Sequence, residues 1–165
     1  MERSTVEYQI RLIEPSDNAE IYQIIRSVFE ELDIAKPGTA YFDSYLPYLY
    51  ETYTTSLSAY FVAEINGEIV GGAGIFPTEG LEKDTCELVK MYLSNKARGL
   101  GIGKQLMNVC LEKAKELNYR KVYLETLPEL KTALKMYEKF GLKFINESLG
   151  NTGHHSCSIR MIKEI

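Results

Sequence analysis

The first third of the chain alternates between a strand pattern and a helical stripe of apolar residues. The run YQIRLI, residues 8–13, alternates with the period of a strand. Asp17 then resembles a helix start, and apolar side chains recur at helical spacing up to about Leu32. Residues 39–58 carry five tyrosines, from Tyr41 to Tyr53, and predict a short helix with an irregular stretch.

A β-hairpin gives the clearest short-range pattern of the sequence. Two β-rich runs, residues 60–65 and 68–76, flank Asn66-Gly67, a dipeptide favoured in tight hairpin turns. The run CELVKMYL, residues 86–93, predicts a further strand. A glycine-rich loop follows, and apolar residues at helical spacing then predict a helix from Ile102 to near Asn118.

The last third of the chain repeats the change from strand to helix. The run KVYLET, residues 121–126, predicts a strand, and apolar residues from Leu130 to Phe140 predict a helix that stops at Gly141. Residues 143–146 and 156–162 predict the last two strands. This order of elements indicates an α/β (α+β) fold, in which a mixed sheet carries helices on its faces.

Composition narrows the classes of protein that fit this pattern. A chain of 165 residues with 45% hydrophobic residues predicts a single domain, residues 1–165, with a sizeable core. Its net charge of −4, without a long run of either sign, argues against a nucleic-acid partner. No apolar run approaches the ~20 residues of a membrane span, and the N-terminal segment has no apolar stretch of signal-peptide length. We therefore expect a soluble, cytoplasmic protein with no membrane partner.

The three cysteines agree with that compartment. Cys86, Cys110 and Cys157 are dispersed, and no two of them have the C-x-x-C spacing. This pattern argues against a disulfide framework or a zinc site and favours a reducing compartment.

The stretch RGLGIGK, Arg98 to Lys104, is the strongest candidate for a binding loop. It fails the dinucleotide fingerprint because Lys104 stands where the third glycine would fall, and it fails the Walker pattern because Gln105 follows the lysine. Free backbone N–H groups at a helix N-terminus, flanked by two cations, still form an anion site. With no Ser or Thr for magnesium, the loop suits a pyrophosphate that needs no metal. The alternative is a glycine-rich turn without a ligand.

The same stretch carries a resemblance to a known family. ARGLGIGKQLM resembles the signature R/Q-x-x-G-x-G/A of the GNAT superfamily of acyl-CoA-dependent N-acetyltransferases, with Arg98, Gly101 and Gly103 at its fixed positions. The segments ELVKMYLS, NYRKVYLET and ALKMYEKFGLKF follow the family's order and spacing, so the resemblance covers about residues 86–146. SNKAR departs from it, because it lacks the proline that many relatives carry after the strand.

The resemblance implies a mixed, mostly antiparallel sheet flanked by helices, in which two splayed strands form the acyl-CoA cleft. By position, backbone groups of Met91, Tyr92 and Leu93 would contact the pantetheine and the thioester carbonyl. The loop around the pyrophosphate would consist of Arg98, Gly99, Leu100, Gly101, Ile102, Gly103 and Lys104. Acetyl-CoA would be the cosubstrate without any metal, and the C-terminal strands would suit a homodimer.

Amide formation needs a base, because an amine with a pKa of ~10.4 is mostly protonated at neutral pH. Relatives often carry a glutamate that acts through water at the position of Glu87. Strand alternation would place Glu87, Val89 and Met91 on one side, where apolar neighbours raise the pKa of a carboxyl group. The alternative for Glu87 is an ordinary solvated glutamate on a strand.

The departing thiolate needs a proton donor. Tyr137, in MYEKFG, matches the family's general-acid tyrosine, which also lies in the acyl-CoA site. It could instead be a core aromatic beside Ala133 and Phe140. His154 and His155 either contact the acceptor or are solvated in a loop, and the tyrosines between Tyr41 and Tyr60 either line the acceptor pocket or pack.

Two functions from different classes follow. The first is an N-acetyltransferase that moves an acetyl group from acetyl-CoA to a primary amine of a small molecule or peptide, by direct attack in a ternary complex. The second is a non-catalytic acyl-CoA-binding or interaction module on the same fold. The acceptor would be selected by residues 34–58 and 149–155, and the sequence contains no code for reading that choice.

Overall fold

The fold is given by a computed structural model that describes residues 6–165, so residues 1–5 of the predicted domain lie outside it. Seven strands form one sheet: β1 (Gln9–Leu12), β2 (Ala59–Ile65), β3 (Glu68–Phe76), β4 (Thr85–Leu93), β5 (Lys121–Thr126), β6 (Lys143–Ile145) and β7 (Ile159–Glu164). Four α-helices accompany them: α1 (Asn18–Glu31), α2 (Leu49–Tyr53), α3 (Ile102–Glu116) and α4 (Lys131–Lys139).

The sheet runs in the order β1-β2-β3-β4-β5-β7-β6 and is antiparallel except where β4 meets β5. That parallel pairing is short, because it involves just three residues of β4, namely Thr85, Cys86 and Glu87. Beyond Glu87 the two strands separate, although β4 continues to Leu93. The predicted splayed strand pair and the mostly antiparallel sheet are therefore confirmed.

The sheet separates two apolar layers. One face packs against α3, which buries Ile102, Leu106 and Cys110. The other face packs against α1, through residues such as Ile21 and Phe29, and against α2. Apolar side chains of α1 and α3 recur at helical spacing on one side only, so each helix covers one face of the sheet.

Most predicted elements are confirmed, and the last strand is the main exception. It begins at Ile159 and ends at Glu164, not at residues 156–162 as predicted. Ser156 and Cys157 belong to the preceding turn, where Ser156 N donates to Gly38 O and Cys157 N to His154 O. Residues 39–58 form two 3₁₀ turns and α2, and this agrees with the predicted short helix and irregular stretch.

A β-bulge in β4 corrects the predicted orientation of its side chains. The register with β3 shifts by one residue between Gly72 and Gly74, and Lys90 adopts a left-handed φ of 49°. Val89 consequently packs with the α1 layer, whereas Met91 packs with the α3 layer. The expectation that Glu87, Val89 and Met91 share one side is therefore wrong for Met91, because a bulge reverses the alternation.

Glycines in β3 allow this bulge to form. A Cβ at Gly72 would lie 2.7 Å from the Tyr60 hydroxyl oxygen, and one at Gly74 would lie 2.4 Å from Ala59 O. The Tyr60 ring occupies that space, and its hydroxyl donates to Lys90 O over 2.7 Å. The run GGAG in the hairpin strand is thus a signal for close approach.

Among the helices of residues 6–165, none is both long and apolar enough to cross a bilayer. The three cysteines are buried thiols without a disulfide.

Candidate active site

A groove of about 370 Å³ opens beside the splayed end of β4. Its walls come from the end of β4, the glycine loop, the first half of α4 and the C-terminal end of α1. Its lining includes Met91, Tyr92, Leu93, Arg98, Gly99, Gly101, Ile102, Gly103, Lys104, Leu130 and Met136. Its size is within the usual range of ~300–1,000 Å³ for ligand clefts.

The glycine loop reaches α3 through two left-handed residues. Gly99 and Gly101 both have φ near +78°, and a Cβ at either would meet no atom within 4 Å. Glycine is therefore required there by backbone conformation. Gly103 differs, because it lies in the first turn of α3 and its Cβ would come 3.1 Å from Leu93 Cδ1 and 3.5 Å from Met136 Sδ. A side chain at position 103 would occupy the groove.

The residues predicted to contact the cofactor all line this groove, except Leu100 and Tyr137. Leu100 packs against the apolar layer below α3. Tyr137 is 5% exposed on the inner side of α4, within that same layer. Leu100 and Tyr137 are therefore packed beside the groove and are not among the residues that line it.

Tyr137 combines the two interpretations given to it. Its ring is packed in the core, which confirms the packing role, and its hydroxyl has no hydrogen-bond partner among residues 6–165. Burial raises the pKa of Tyr137 well above its usual range, with a smaller contribution from Cys110. The phenol is consequently neutral at physiological pH.

Arg98 already has a partner on α1. Its two terminal nitrogens donate to the Glu31 carboxylate at 3.1 and 3.2 Å, and both side chains are exposed. An exposed pair of this kind contributes only ~0–1 kcal/mol. A phosphate entering the groove therefore competes with Glu31 for Arg98 at little cost.

Glu87 lies on the other side of the strand split, in an enclosed environment. It is 6% exposed, and the Thr78 hydroxyl donates to its Oε1 at 2.5 Å. Burial raises the pKa of Glu87, and the Thr78 hydrogen bond and the Lys90 charge only partly oppose that shift. The interpretation as a solvated strand glutamate is wrong, because the loops that follow β3 and β6 cover this part of β4.

A second, much smaller cavity of about 30 Å³ lies against Glu87. Since one water molecule needs ~10–15 Å³ of accessible volume, the cavity has room for one or two waters. Lys90, Glu125 and His154 also line it, and it shares Tyr92 and Leu130 with the groove. The two cavities therefore adjoin at the split between β4 and β5.

A buried ionic cluster supports one wall of the small cavity. Asp43 Oδ2 accepts from Lys90 Nζ at 2.7 Å and from His154 Nε2 at 2.8 Å. Lys90 Nζ also donates to the Tyr45 hydroxyl at 3.1 Å, and its side chain is only 2% exposed. One carboxylate thus joins a loop before α2, the bulge of β4 and the loop before β7.

The electrostatics of this cluster are those of an ion pair. Burial alone would raise the pKa of Asp43, but the His154 hydrogen bond and the Lys90 charge hold it below the usual range. Burial would likewise lower the pKa of Lys90, and its interactions with Tyr45 and Asp43 raise it instead. Asp43 is therefore a carboxylate and Lys90 an ammonium at neutral pH.

Glu125 forms the opposite wall from β5. Its carboxylate accepts from the hydroxyls of Tyr123, Ser148 and Thr152. These donors fix the loop between β6 and β7 against the sheet. Glu125 and the Asp43 cluster therefore hold that loop from both sides.

Sequence reasoning did not find Asp43, Lys90 or Glu125. Lys90 offered a usable signal, because a lysine inside the apolar run CELVKMYL has to find a partner when it is buried. Asp43 and Glu125 gave none, since their partners lie far away in the sequence.

The two histidines have different environments. His154 is 10% exposed and bound to Asp43, so the solvated-loop interpretation is wrong for it. His155 is exposed and packs over Gly38, as a solvated loop residue would. Among the tyrosines between Tyr41 and Tyr60, Tyr53 and Tyr60 pack in the core and none lines the small cavity. Tyr45 reaches the wall of that cavity through its hydrogen bond with Lys90.

Residues 6–165 bring together no group of three His, Cys, Asp or Glu side chains that could hold a metal ion.

Comparison with known proteins agrees with the geometry. Residues 18–142 match the acetyltransferase (GNAT) family. The chain is 41% identical over 157 residues to the uncharacterized N-acetyltransferase YjgM of Escherichia coli K12, covering 94% of each chain.

Solved structures show the same fold at low identity. An acetyltransferase from Streptococcus agalactiae superposes with a TM-score of 0.82 at 18% identity, over 96% of this chain and 98% of that one. The PaiA N-acetyltransferase of Thermoplasma acidophilum, solved with coenzyme A, gives 0.73 at 15% identity, over 96% and 99%.

Proposed function

The chain belongs to the acetyltransferase (GNAT) family, and we propose that it moves an acetyl group from acetyl-CoA to a primary amine of a small molecule or peptide. The family membership makes it an acetyltransferase. The donor, the acceptor class and the residue roles given below are the proposal. Attack is direct, with acetyl-CoA and the amine bound together in a ternary complex.

The groove supports acetyl-CoA as the donor. Backbone N–H groups at the start of α3, with Arg98 and Lys104 beside them, suit a pyrophosphate. Met91, Tyr92 and Leu93 line the continuation toward the strand split, where an extended pantetheine would run. The Thermoplasma PaiA structure, which has the same fold, contains coenzyme A.

Glu87 supports amine attack from the other side of the split. An amine must lose a proton before it attacks, and a buried carboxylate with a raised pKa accepts that proton near neutral pH more readily than an exposed one. The cavity between Glu87 and the groove has room for a bridging water. Glu87 therefore acts as the base through water.

Tyr137 is assigned the departing thiolate. Its hydroxyl has no hydrogen-bond partner among residues 6–165, and the next residue along α4 toward the N-terminus, Met136, lines the groove. A phenol kept neutral by burial can donate its proton as the carbon–sulfur bond breaks.

One observation carries the proposal: the donor groove and the Glu87 cavity share Tyr92 and Leu130, so a thioester in one lies next to a base in the other. A non-catalytic acyl-CoA-binding module would not need the buried carboxylate. The buried free thiols suit the reducing cytoplasm, and pairing through the C-terminal strands would give a homodimer.

A panel of amines tests the function. Purified protein is incubated with acetyl-CoA and each amine, thiol release is followed, and acetylated amine is identified by mass spectrometry. We expect amine-dependent thiol release that matches the amide formed, and its loss in Glu87→Gln. Acetyl-CoA binding without amide from alkyl amines, amino acids, polyamines or peptide N-termini would favour the binding module.

A further inference from the structure

The proposed reaction releases more protons from nitrogen than Glu87 alone can hold at one time. An ammonium acceptor becomes a neutral amide nitrogen with two fewer protons. One of these ends on the sulfur of coenzyme A, which Tyr137 supplies and must regain, and the other goes to solvent. Glu87 lies in an enclosed cavity, so each turnover needs a route by which a proton leaves it.

His154 is a further side chain on that cavity that can accept a proton. It lines the same small space as Glu87, from the loop between β6 and β7 and not from β4. Imidazole is the side chain that most readily exchanges a proton near neutral pH. At 10% exposure, His154 retains some contact with the outside.

Asp43 sets the state of the histidine ring. Because a carboxylate accepts at 2.8 Å from Nε2, that nitrogen carries the hydrogen and Nδ1 is left as the basic site. Lys90 also pairs with the Asp43 carboxylate, which keeps that carboxylate directed at the His154 ring. A histidine that is merely solvated would have neither constraint.

We propose that His154, positioned by Asp43, accepts a proton from the acceptor nitrogen through cavity water and passes it to solvent. This inference rests on the proposed function. Glu87 takes the proton that frees the amine for attack, and His154 takes the one released as the carbon–nitrogen bond forms and passes it to solvent. The proton held by Glu87 then returns through the cavity water to Tyr137, so both groups start the next turnover in their original state. The electron pair of the broken carbon–sulfur bond goes to sulfur, which Tyr137 protonates.

Several charged groups face the histidine besides Asp43. Lys90 and Glu87 project from β4, and Glu125 lines the same cavity from β5. The Cys157 thiol lies three residues along the same loop and lines the cavity as well. The acid limb of the rate profile therefore belongs to this whole set, and variants are needed to assign it.

Neighbouring histidines provide a matched pair for the test. His154→Gln keeps a donor for Asp43 but removes the basic nitrogen, whereas His155→Gln alters an exposed ring outside the cavity. We expect kcat/KM to fall about 10²-fold in His154→Gln, the scale of one general base. His155→Gln should stay within about twofold, and both should bind acetyl-CoA as the parent does.

The pH profile separates proton transfer from a structural role. The acid limb of kcat/KM should become shallower by one proton in His154→Gln, and imidazole should restore rate to a folded His154→Ala. An unchanged limb, or no rescue, overturns the inference. If neither variant folds, the parent decides with a weakly basic amine that is neutral above pH 6: a flat profile between pH 6 and 8 overturns it.

The outcome remains distinct from failure of the proposed function. If the parent acetylates no amine, the function itself has failed. If the parent is active and His154→Gln matches His155→Gln, only this inference has failed.

Discussion

The proposed donor side and the proposed acceptor side of the cleft are built in opposite ways. The donor groove comes from the end of β4, the glycine loop and the facing helix α4, which lie close together in the sequence. The acceptor side depends on Asp43, Lys90 and His154, and Asp43 meets a histidine 111 residues further along the chain. The groove is lined by apolar side chains and by the backbone of the glycine loop, whereas the other side depends on buried charge.

This difference follows from what each side has to bind. A cosubstrate with a pyrophosphate can be held by backbone N–H groups and a helix terminus, which depend on local conformation. An amine acceptor has to be placed and deprotonated, which requires ionisable side chains fixed in space. Buried ions fix position well, but each depends on its partner.

Tyr137→Phe should have the largest effect and should change the chemical step of the donor side. The ring stays packed, so the fold and acetyl-CoA affinity should be kept, whereas kcat should fall ~10²–10⁴-fold because the proton donor is gone. Steady-state kinetics with chemistry shown to be rate-limiting measure this. Acyl donors with a more acidic thiol should recover part of the rate, and a variant within about twofold of the parent would leave Tyr137 as packing only.

Asp43→Asn should weaken the fold from the acceptor side. It leaves the Lys90 ammonium buried without its carboxylate, a change that typically costs ~3–5 kcal/mol of unfolding free energy. Urea denaturation measures the loss. Glu68→Gln is the matched control, because its 2.7 Å pair with Lys96 is exposed and should contribute less than ~1 kcal/mol.

The difference in unfolding free energy between the parent and Asp43→Asn should depend on pH. The folded pKa of Asp43 is lowered, so its stabilisation is present above the ordinary value of ~3.9 and is lost as the pH falls through the folded pKa. The stability difference between parent and Asp43→Asn should therefore shrink below pH ~4. A difference that is constant with pH, or equal to that of Glu68→Gln, would contradict the ion-pair account.

Glu87→Gln should separate activity from stability. We expect kcat to fall about 10²-fold, with a flatter acid limb, while acetyl-CoA affinity stays nearly constant. Because burial raises the folded pKa of Glu87, ionisation opposes folding above that pKa, so the variant should be as stable as the parent or more stable at pH 7. An unaltered pH profile would remove Glu87 from the mechanism.

Glu31→Gln should have the smallest effect and should improve the donor side. Glu31 holds Arg98 in an exposed ion pair, so removing the Glu31 carboxylate frees the guanidinium for a phosphate. Acetyl-CoA affinity should rise up to about fivefold, because an exposed ion pair contributes at most ~1 kcal/mol. Calorimetry at low and high salt measures the gain, which should disappear at high salt. Glu30→Gln, which affects the pair with Arg26, is the control, and an equal gain there would contradict a specific role for Arg98.

Sequence reasoning succeeded where the physics is local. The Asn66-Gly67 hairpin, the stripes of α1 and α3 and the glycine loop all follow from residues within one or two turns of each other. It failed at Met91, because one extra residue at Lys90 reverses every side chain after it, and no alternation rule contains a bulge. The final strand was displaced for a similar reason, since the preceding turn is held by Gly38.

The proposed acceptor side could not be predicted from the sequence, because its contacts join residues that are far apart in the chain. Glu87 could be proposed by position, but its burial depends on loops that are distant in the sequence. A solvated His154 was favoured because its partner Asp43 comes from a distant segment of the chain. The burial of Asp43 depends in turn on its ion pair with Lys90, which is distant in sequence as well. Ion pairs formed across the fold leave no periodic pattern in the chain.

Calorimetric titration of acetyl-CoA into the parent and Gly103→Leu tests the central claim most directly, namely that the groove at the glycine loop holds the donor. A side chain at position 103 would enter the space between Leu93 and Met136, and leucine is compatible with the helix. The account predicts one site per chain in the parent, and an affinity at least about tenfold weaker in a folded Gly103→Leu, which corresponds to ~1.4 kcal/mol. No binding by the parent, or equal affinity in the two proteins, would contradict it.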